Sequence, residues 1–196
     1  MRRLYCASGN PGKLREYRAL AQSAASDWDL ELLPGYSSEP EFEESAPTFA
    51  EIAAGKALYY ARLSDDLVFA DDSGLVVPAL GGAPGVMSAR YAGAGASNEQ
   101  RIGKLMQEMS RLKKTERAAH FVCVIAAAQK DRVVAVVSAK VEGQILGEPR
   151  GSGGFGYDPI FYFPELRASF AELAENEKNL HSHRGKAFRR LLTVLH

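Results

Sequence analysis

The chain has few of the residues that mark specialised classes of protein. Its 196 residues include two cysteines and one tryptophan. Both cysteines, Cys6 and Cys123, lie within apolar runs, where a free thiol behaves as a small hydrophobic side chain. Small disulfide scaffolds are dense in cysteine, so the sequence excludes that class.

The chain also lacks an excess of charge of either sign. Its 24 Lys and Arg residues balance 24 Asp and Glu residues, which gives a formal net charge of +0 at pH 7. Proteins that coat nucleic acid or lie on anionic membranes usually carry a basic excess. We therefore expect no stable nucleic-acid or membrane binding, and a bound polyanion should be small and held locally.

Long apolar runs are missing as well. No run approaches the length of a transmembrane helix. The apolar stretch after Met1, Arg2 and Arg3 is too short for the core of a signal peptide. Hydrophobic residues make up 46% of the chain and charged residues 24%, as in globular proteins. These features predict a cytoplasmic protein with one domain spanning residues 1–196.

The periodicity of apolar residues predicts an α/β fold. Apolar runs predict strands at 4–7, 30–33, 67–70 and 160–163, and a long hairpin at 118–128 and 133–141. Helical spacing predicts helices at 13–22, from Thr48 onward, at 98–109, near 168–173 and at about 185–195. The combination indicates a mixed sheet flanked by helices, in one or two lobes.

The first candidate site is a glycine loop between a strand and a helix, with the sequence Ser8, Gly9, Asn10, Pro11, Gly12, Lys13. Backbone N–H groups at such a helix start attract phosphate, and Lys13 adds a positive charge. The spacing differs from that of a P-loop, and Leu14 replaces the metal-binding hydroxyl, which disfavours a Walker-type NTPase. An ordinary turn with a solvated lysine is the alternative.

The second candidate site combines acidic residues. Asp71 and Asp72 follow an apolar strand, and two adjacent acids are costly to bury without a cation or other partners. With Glu43 from the acidic loop at 34–47, they provide oxygen ligands that suit Mg²⁺ better than zinc. The alternative is a turn whose aspartates cap backbone N–H groups.

Two further candidates lie near the end of the chain. Phe155 and Tyr157 sit in a glycine-rich segment and offer flat faces on which a base can stack. Lys178, His183 and Arg184 bring three cationic donors close together in sequence. The alternatives are core aromatics in a β-turn and a His183 that lies on the surface or caps a helix.

Taken together, these segments resemble the inosine triphosphate pyrophosphatase family over nearly the whole chain. Four motifs stand in the family's order: the loop at 8–13, Thr48 and Phe49 with Lys56, the acidic segment at 69–75 followed by 81–85 and 88–91, and the segment at 154–159 with 182–185. Each motif alone is weak, but their joint order and spacing are specific.

The resemblance implies an elongated mixed β-sheet flanked by helices, with two lobes around a central nucleotide cleft, and a homodimer. It implies Mg²⁺-dependent cleavage of ITP, dITP or XTP between the α and β phosphates, which yields a monophosphate and pyrophosphate. Two alternatives remain, a Maf-like pyrophosphatase that acts on other nucleotides and a nucleotide sensor without turnover.

The resemblance also implies roles for individual residues. Asp72 and Lys13 are the expected catalytic residues, and Glu43 with Asp72 the expected metal ligands, although Glu44 remains an alternative to Glu43. Lys178, His183 or Arg184 would meet the carbonyl at C6 of the base. The expected substrate-binding set is Ser8, Gly9, Asn10, Pro11, Gly12, Lys13, Lys56, Ser73, Phe155, Gly156, Tyr157, Asp158, Lys178, His183 and Arg184.

Overall fold

The computed structural model describes residues 2–23, 28–113 and 115–196. The strands within this part of the chain are β1 (Arg2–Cys6), β2 (Trp28–Leu32), β3 (Leu67–Val76), β4 (Ala118–Gln129), β5 (Arg132–Ile145), β6 (Phe161–Phe163) and β7 (Ala168–Ser169). The α-helices are α1 (Pro11–Ser23), α2 (Phe49–Ala61), α3 (Asn98–Met109), α4 (Glu175–His181) and α5 (His183–Val194).

The strands form one mixed sheet. Their order within the described residues is β2-β1-β3-β4-β5-β6-β7. Strand β1 pairs in parallel with β2 and β3, whereas β6 pairs antiparallel with β5 and β7. The predicted α/β class with a mixed sheet and flanking helices is therefore confirmed.

The chain divides into two compact units. The first unit comprises Met1–Asp72, Cys123–Ala139 and His183–His196. The second unit comprises Ser73–Val122 and Lys140–Ser182. A nucleotide cleft between lobes, an elongated shape and a homodimer stay predictions.

The core of the first unit joins α1 and α5 to the sheet. Tyr17 of α1, Phe69 of β3 and Phe188 of α5 are buried, and their ring centroids lie 5.1 to 5.7 Å apart. Edge-to-face and tilted ring contacts at this spacing add to the stabilisation from burial. This packing fixes α1 and α5 beside the first half of β3.

The core of the second unit is also rich in aromatic rings. Phe161 of β6 lies 4.5 Å from Phe121 of β4 and 4.9 Å from Phe170, measured between ring centroids. Phe163 packs against Phe170 as well, at 5.7 Å. Phe170, which directly follows the short strand β7, thus packs into the core of the second unit.

Helix prediction was right for some segments and wrong for one. The predicted helix at 98–109 coincides with α3. The helix expected near 168–173 is wrong, because Ala168–Ser169 forms β7 after a turn in which Arg167 adopts a positive φ of 52°. The helical spacing of Leu166, Phe170 and Leu173 reflects core contacts of a turn instead. None of the helices in the described part of the chain is long and apolar enough to cross a membrane.

Candidate active site

Strand β3 carries the two central acids. The predicted strand at 67–70 continues to Val76, so Asp71 and Asp72 lie within the strand and not after it. Both residues are buried, with 1% and 6% of their surface exposed. Because consecutive side chains of a strand point to opposite faces, the two carboxylates have different surroundings.

Asp71 is surrounded by cations. Lys13 Nζ lies 2.9 Å from Asp71 Oδ2 and also donates to the main-chain oxygen of Asp71 at 3.5 Å. Arg184 Nε lies 3.9 Å from the same carboxylate oxygen. Burial raises the pKa of Asp71, but the charges of Lys13, Arg184 and Lys56 and the hydrogen bond from Lys13 together hold that pKa below its ordinary value. Asp71 is therefore an ionised anchor for Lys13.

Asp72 is different, because its Oδ2 atom is buried and accepts no hydrogen bond. Burial raises the pKa of Asp72 to about 7; the charges of Glu44 and Asp71 add to the rise, while Lys13 and Lys56 oppose it. A buried carboxylate oxygen without a donor favours a cation or a water molecule. A carboxylate whose pKa lies near neutrality is also suited to accept a proton.

The acidic loop at 34–47 contributes Glu44 to the charges around Asp72. Lys56 Nζ of α2 donates to Glu44 Oε1 at 2.7 Å. Burial lowers the pKa of Lys56, but the charge and hydrogen bond of Glu44, together with the charges of Asp71 and Asp72, raise the net pKa above its ordinary value. Glu44 is among the charges that act on Asp72, whereas Glu43, the predicted metal ligand, is exposed. The geometry thus favours Glu44 over Glu43.

Aromatic contacts fasten the acidic loop to α2. A Cβ atom on Gly55 would lie 2.7 Å from Phe42 Cζ, so the Phe42 ring occupies the space that glycine leaves. Phe42 N donates to Tyr60 Oη at 3.3 Å. Thr48 caps α2 as predicted, since Thr48 Oγ1 accepts from Glu51 N. These contacts keep the loop close enough to α2 for Glu44 to meet its lysine.

The predicted phosphate loop is organised by Asn10. Asn10 Oδ1 accepts from Gly12 N at 2.9 Å and from Lys13 N at 3.2 Å, while Asn10 N donates to Ser8 Oγ at 3.3 Å. Pro11 occupies the first position of α1, where its missing N–H costs nothing. Two of the amides expected to face a phosphate thus serve the helix cap in this structure, and Lys13 provides the positive charge.

In the second unit, Asp158 organises the glycine-rich segment. Phe155 N donates to Asp158 Oδ2 at 2.7 Å, and the buried Lys178 Nζ donates to the same oxygen. Lys178 Nζ also lies 5.0 Å from the Phe155 ring centroid, within the range of a cation–π contact. Gly154 has a φ of 68°, and a Cβ there would lie 2.1 Å from Asp158 Oδ2. The segment therefore requires glycine at position 154, whereas a Cβ atom on Gly156 would meet no other atom within 4 Å.

Several predicted substrate contacts have buried side chains, namely Ser8, Tyr157, Asp158, Lys178, His183 and Arg184. Tyr157 belongs to the core of the second unit, and its hydroxyl donates to Ser88 O at 3.0 Å. His183 and Arg184 begin α5 in the first unit, with 4% and 2% of their surface exposed. Ser73 of β3 is half-buried in the second unit. Phe155, which is also half-buried, is thus the better placed of the two aromatic residues for stacking.

Sequence reasoning missed Glu16. This residue of α1 is buried, and Arg184 Nη1 donates to its Oε2 atom. An acid three positions after Lys13 was the only available signal, because its partner lies 168 positions further along the chain.

Comparison with known proteins gives the family. The model of the Ham1 family matches residues 4–194, which is nearly the entire chain. The chain belongs to the Ham1 family. This result confirms the family inferred from the motifs.

Curated Ham1 relatives resemble the chain over almost their whole length. A dITP/XTP pyrophosphatase from Gloeobacter violaceus is 48% identical over 195 residues, which cover 98% of this chain and 94% of that protein. A dITP/XTP pyrophosphatase from Geobacillus kaustophilus is 46% identical, with coverage of 97% and 93%.

Solved Ham1 structures share the fold. A Ham1 protein from Coxiella burnetii matches with a TM-score of 0.88 and 41% identity, and the match covers 100% of this chain and 98% of that one. The Staphylococcus aureus Ham1 protein matches with a TM-score of 0.85 and 37% identity, with coverage of 99% and 98%.

The carboxylates of this Ham1 chain fit a magnesium ion. Within residues 2–23, 28–113 and 115–196, no group of three His, Cys, Asp or Glu side chains forms a metal cluster. Mg²⁺ characteristically binds one or two carboxylates, several waters and substrate phosphates. The Oδ2 atom of Asp72, which accepts no hydrogen bond, and the carboxylate of Glu44 provide the two carboxylates that such a magnesium site needs.

Proposed function

We propose that this Ham1 protein is a nucleoside triphosphate pyrophosphohydrolase. It hydrolyses the aberrant purine nucleotides ITP, dITP and XTP to the monophosphate and pyrophosphate. The observation that carries the proposal is the buried Oδ2 atom of Asp72, which accepts no hydrogen bond. This carboxylate is influenced by the charges of Lys13, Lys56 and Glu44. The printed names of the curated relatives, which are dITP/XTP pyrophosphatases, support the same activity.

In this proposal the lysines hold the phosphates. A triphosphate carries about four negative charges, and more charge develops on the leaving pyrophosphate in the transition state. Lys13 and Lys56 are held in place by Asp71 and Glu44 before substrate arrives. Ser8 and Asn10 provide polar groups beside the phosphates.

The metal ligands are assigned to Asp72 and Glu44, with Glu44 in place of the Glu43 expected from the sequence. Mg²⁺ held there would neutralise phosphate charge and polarise the reacting phosphoryl group. Asp72 orients a water molecule toward the α phosphorus and accepts its proton at a carboxylate oxygen. Glu44, released from Lys56, leaves that lysine available to the phosphates.

The second unit carries the residues proposed for the base. Phe155 offers a ring for stacking, and Lys178 is a donor held in place by Asp158. Hypoxanthine and xanthine present an acceptor oxygen at C6, whereas adenine presents an amino group that cannot accept. A donor that faces this amino group remains unpaired, which disfavours ATP. We also propose that the protein is a cytoplasmic homodimer acting on free nucleotides, without stable nucleic-acid or membrane binding.

A nucleotide panel in ¹⁸O-labelled water tests the function. The protein is incubated with ITP, dITP, XTP, ATP or GTP, in the presence of Mg²⁺ or of EDTA. The products are separated, and their masses are measured by mass spectrometry. We expect monophosphate and pyrophosphate from the first three, the label in the monophosphate, and no reaction in EDTA. Release of orthophosphate and diphosphate would mean attack at the γ phosphorus and contradict the proposal. Preferred turnover of other nucleotides would favour a Maf-like enzyme, and binding without turnover a sensor.

A further inference from the structure

Two loops of the first unit leave the sheet at the same edge. Strand β1 runs into the predicted phosphate loop at 8–13, and its parallel neighbour β2 runs into the acidic loop at 34–47. Loops that follow neighbouring parallel strands lie side by side, where open α/β sheets bind their ligands. Leu33 N donates to Cys6 O at 3.1 Å, and Tyr36 N donates to Leu33 O at 3.2 Å. The start of the acidic loop is thus tied to the end of β1.

Tyr36 of the acidic loop packs on the phosphate loop. A Cβ atom on Gly9 would lie 3.3 Å from Tyr36 Cε1 and 3.5 Å from Tyr36 Oη, so the ring uses the space that glycine leaves. Burial raises the pKa of Tyr36 to about 12, and the charge and hydrogen bond of Tyr60 add to the rise. The charge of Lys56 and the N–H of Gly9 oppose it. Both the ring and the hydroxyl of Tyr36 therefore meet the phosphate loop.

The same tyrosine is connected to the part of the acidic loop that carries Glu44. The ring centroid of Tyr36 lies 4.7 Å from that of Tyr60, a residue of α2 that is 2% exposed. Tyr60 Oη accepts from Phe42 N at 3.3 Å, and Phe42 precedes Glu44 by two positions. Ring pairs at this spacing stabilise beyond the area that they bury. A continuous chain of contacts therefore runs from Gly9 to the backbone beside Glu44.

The two loops carry different parts of the proposed reaction centre. The phosphate loop meets the phosphates of the substrate, whereas Glu44 belongs to the proposed magnesium site. Such a site uses protein carboxylates and substrate phosphates together as ligands of one ion. The two loops must therefore keep their separation to within about 0.5 Å, which requires a side chain that packs against both.

We propose that Tyr36 is a positioning residue that fixes the acidic loop against the phosphate loop, so that Glu44 is in place when the phosphates arrive. The inference rests on the proposed function, since it takes the phosphate loop and Glu44 as binding groups. The Tyr36 hydroxyl already interacts with Tyr60 and with the N–H of Gly9. Tyr36 therefore acts through its neighbours and not as a ligand of the substrate.

The magnesium complex of inorganic tripolyphosphate is the probe, because it has phosphates and no base. Calorimetry in excess Mg²⁺ measures its affinity for the full chain. For Tyr36→Leu, which removes the ring, we expect about a tenfold loss, the scale of a lost supporting group at a metal site. Tyr36→Phe keeps the ring and should lose only about two- to threefold. An unchanged affinity in Tyr36→Leu, or an equal loss in both variants, would overturn the proposal.

A double-mutant cycle with Glu44 separates positioning from direct contact. Glu44→Gln alone should weaken binding of the probe about tenfold. If Tyr36 acts through Glu44, the double variant Tyr36→Leu/Glu44→Gln should also be about tenfold weaker than the wild type, because the two changes remove the same interaction. An additive loss of about 100-fold would mean that Tyr36 meets the phosphates independently, and would overturn the proposal. The same cycle with Tyr36→Phe decides the question where Tyr36→Leu does not fold.

Arg62→Met is the matched control. Arg62 pairs with Glu39 on the exposed side of the same loop, where their side chains are 45% and 27% exposed. Exposed ion pairs contribute little, so this variant should bind the probe like the wild type. A loss as large as in Tyr36→Leu would show that any contact of the loop has this effect, and would overturn the proposal.

Circular dichroism and thermal unfolding verify the fold of each variant. Wild-type protein that neither binds tripolyphosphate nor hydrolyses ITP would contradict the proposed function itself, independently of Tyr36.

Discussion

Each of the two units buries a lysine against a carboxylate, but the two arrangements differ. In the first unit, Asp71 interacts with Lys13 and Arg184 together, and Lys13 is the partly exposed member. In the second unit, Lys178 is enclosed, and its partner Asp158 is held at the same oxygen by Phe155 N. The first arrangement leaves its lysine room to change partners, whereas the second fixes its lysine beside an aromatic ring.

This difference matches the two parts of a nucleotide. The charge on the phosphates changes during the reaction, so they need cations that can approach them. Such a cation leaves its carboxylate partner in the protein, and that carboxylate then needs a second cation. A purine base is neutral and is distinguished by where its donors and acceptors lie, which requires a donor in a fixed position. The first unit therefore suits phosphate chemistry, and the second suits discrimination between bases.

The largest expected effect is that of Asp72→Asn. Loss of the proposed general base should lower kcat by about two to four orders of magnitude while tripolyphosphate still binds. Steady-state kinetics at saturating Mg²⁺ measure the change. If Asp72→Asn retains near wild-type turnover, Asp72 is neither a base nor an essential ligand, and the first unit loses its proposed chemistry.

Replacing Lys178 and Lys13, one at a time, tests whether the second unit distinguishes bases while the first unit serves the phosphates. Lys178→Met should reduce the ratio of kcat/KM for ITP to that for ATP by about 10- to 100-fold, because a donor to the C6 oxygen is lost. The double variant Asp158→Asn/Lys178→Met avoids a buried unpaired carboxylate and should show the same reduction. Lys13→Met is the matched comparison and should weaken both substrates equally. Equal losses for both substrates in Lys178→Met would remove base reading from the second unit.

The loop carboxylates offer a smaller, paired effect. Glu44→Gln should raise the Mg²⁺ concentration for half-maximal activity about tenfold, the scale seen when a metal site loses a supporting group. Glu43→Gln changes a neighbouring, exposed acid and should shift it less than twofold. Isothermal titration with Mg²⁺ and a non-hydrolysed nucleotide analogue gives the same comparison without turnover. The reverse order of the two variants would restore the ligand expected from the sequence.

Local patterns in the sequence predicted α3 correctly and β3 only in part. Ile102, Leu105 and Met109 form one apolar face, and this spacing is sufficient to define a helix. The end predicted for β3 at Asp71 followed from the low strand preference of aspartate. Tertiary partners override that preference, since Lys13 and Arg184 compensate the buried carboxylate.

The motifs included several of the charged residues around Asp72, but not the ion pairs that these residues form. Lys13 and Lys56, which come from two different motifs, both act on the charge of Asp72, while their roles in catalysis stay predictions. The pairing of Glu16 with Arg184 joins residues 168 positions apart and has no local pattern. The choice between Glu43 and Glu44 depends on how Phe42 packs on Gly55, which spacing within a loop does not define.

The smallest effect concerns the two aromatic residues of the second unit. Tyr157→Phe keeps the ring in the core but removes the hydrogen bond to Ser88 O, which should cost about 0.5–1.5 kcal/mol of unfolding free energy. For a protein of this size, that corresponds to a fall in Tm of about 1–6 °C. KM for ITP should stay unchanged, because Tyr157 is 4% exposed and packs among core residues.

Phe155→Leu is the matched variant and should behave in the opposite way. Its ring lies over Lys178 and is half-buried, so its loss should leave Tm nearly unchanged and raise KM for ITP. Stacking of one base on an aromatic ring contributes about 1–3 kcal/mol, which predicts a rise of at least about fivefold. Differential scanning calorimetry and steady-state kinetics on both variants decide the matter. A raised KM in Tyr157→Phe at unchanged Tm would show that the Tyr157 hydroxyl contacts the substrate, and an unchanged KM in Phe155→Leu would remove the proposed stacking role from Phe155.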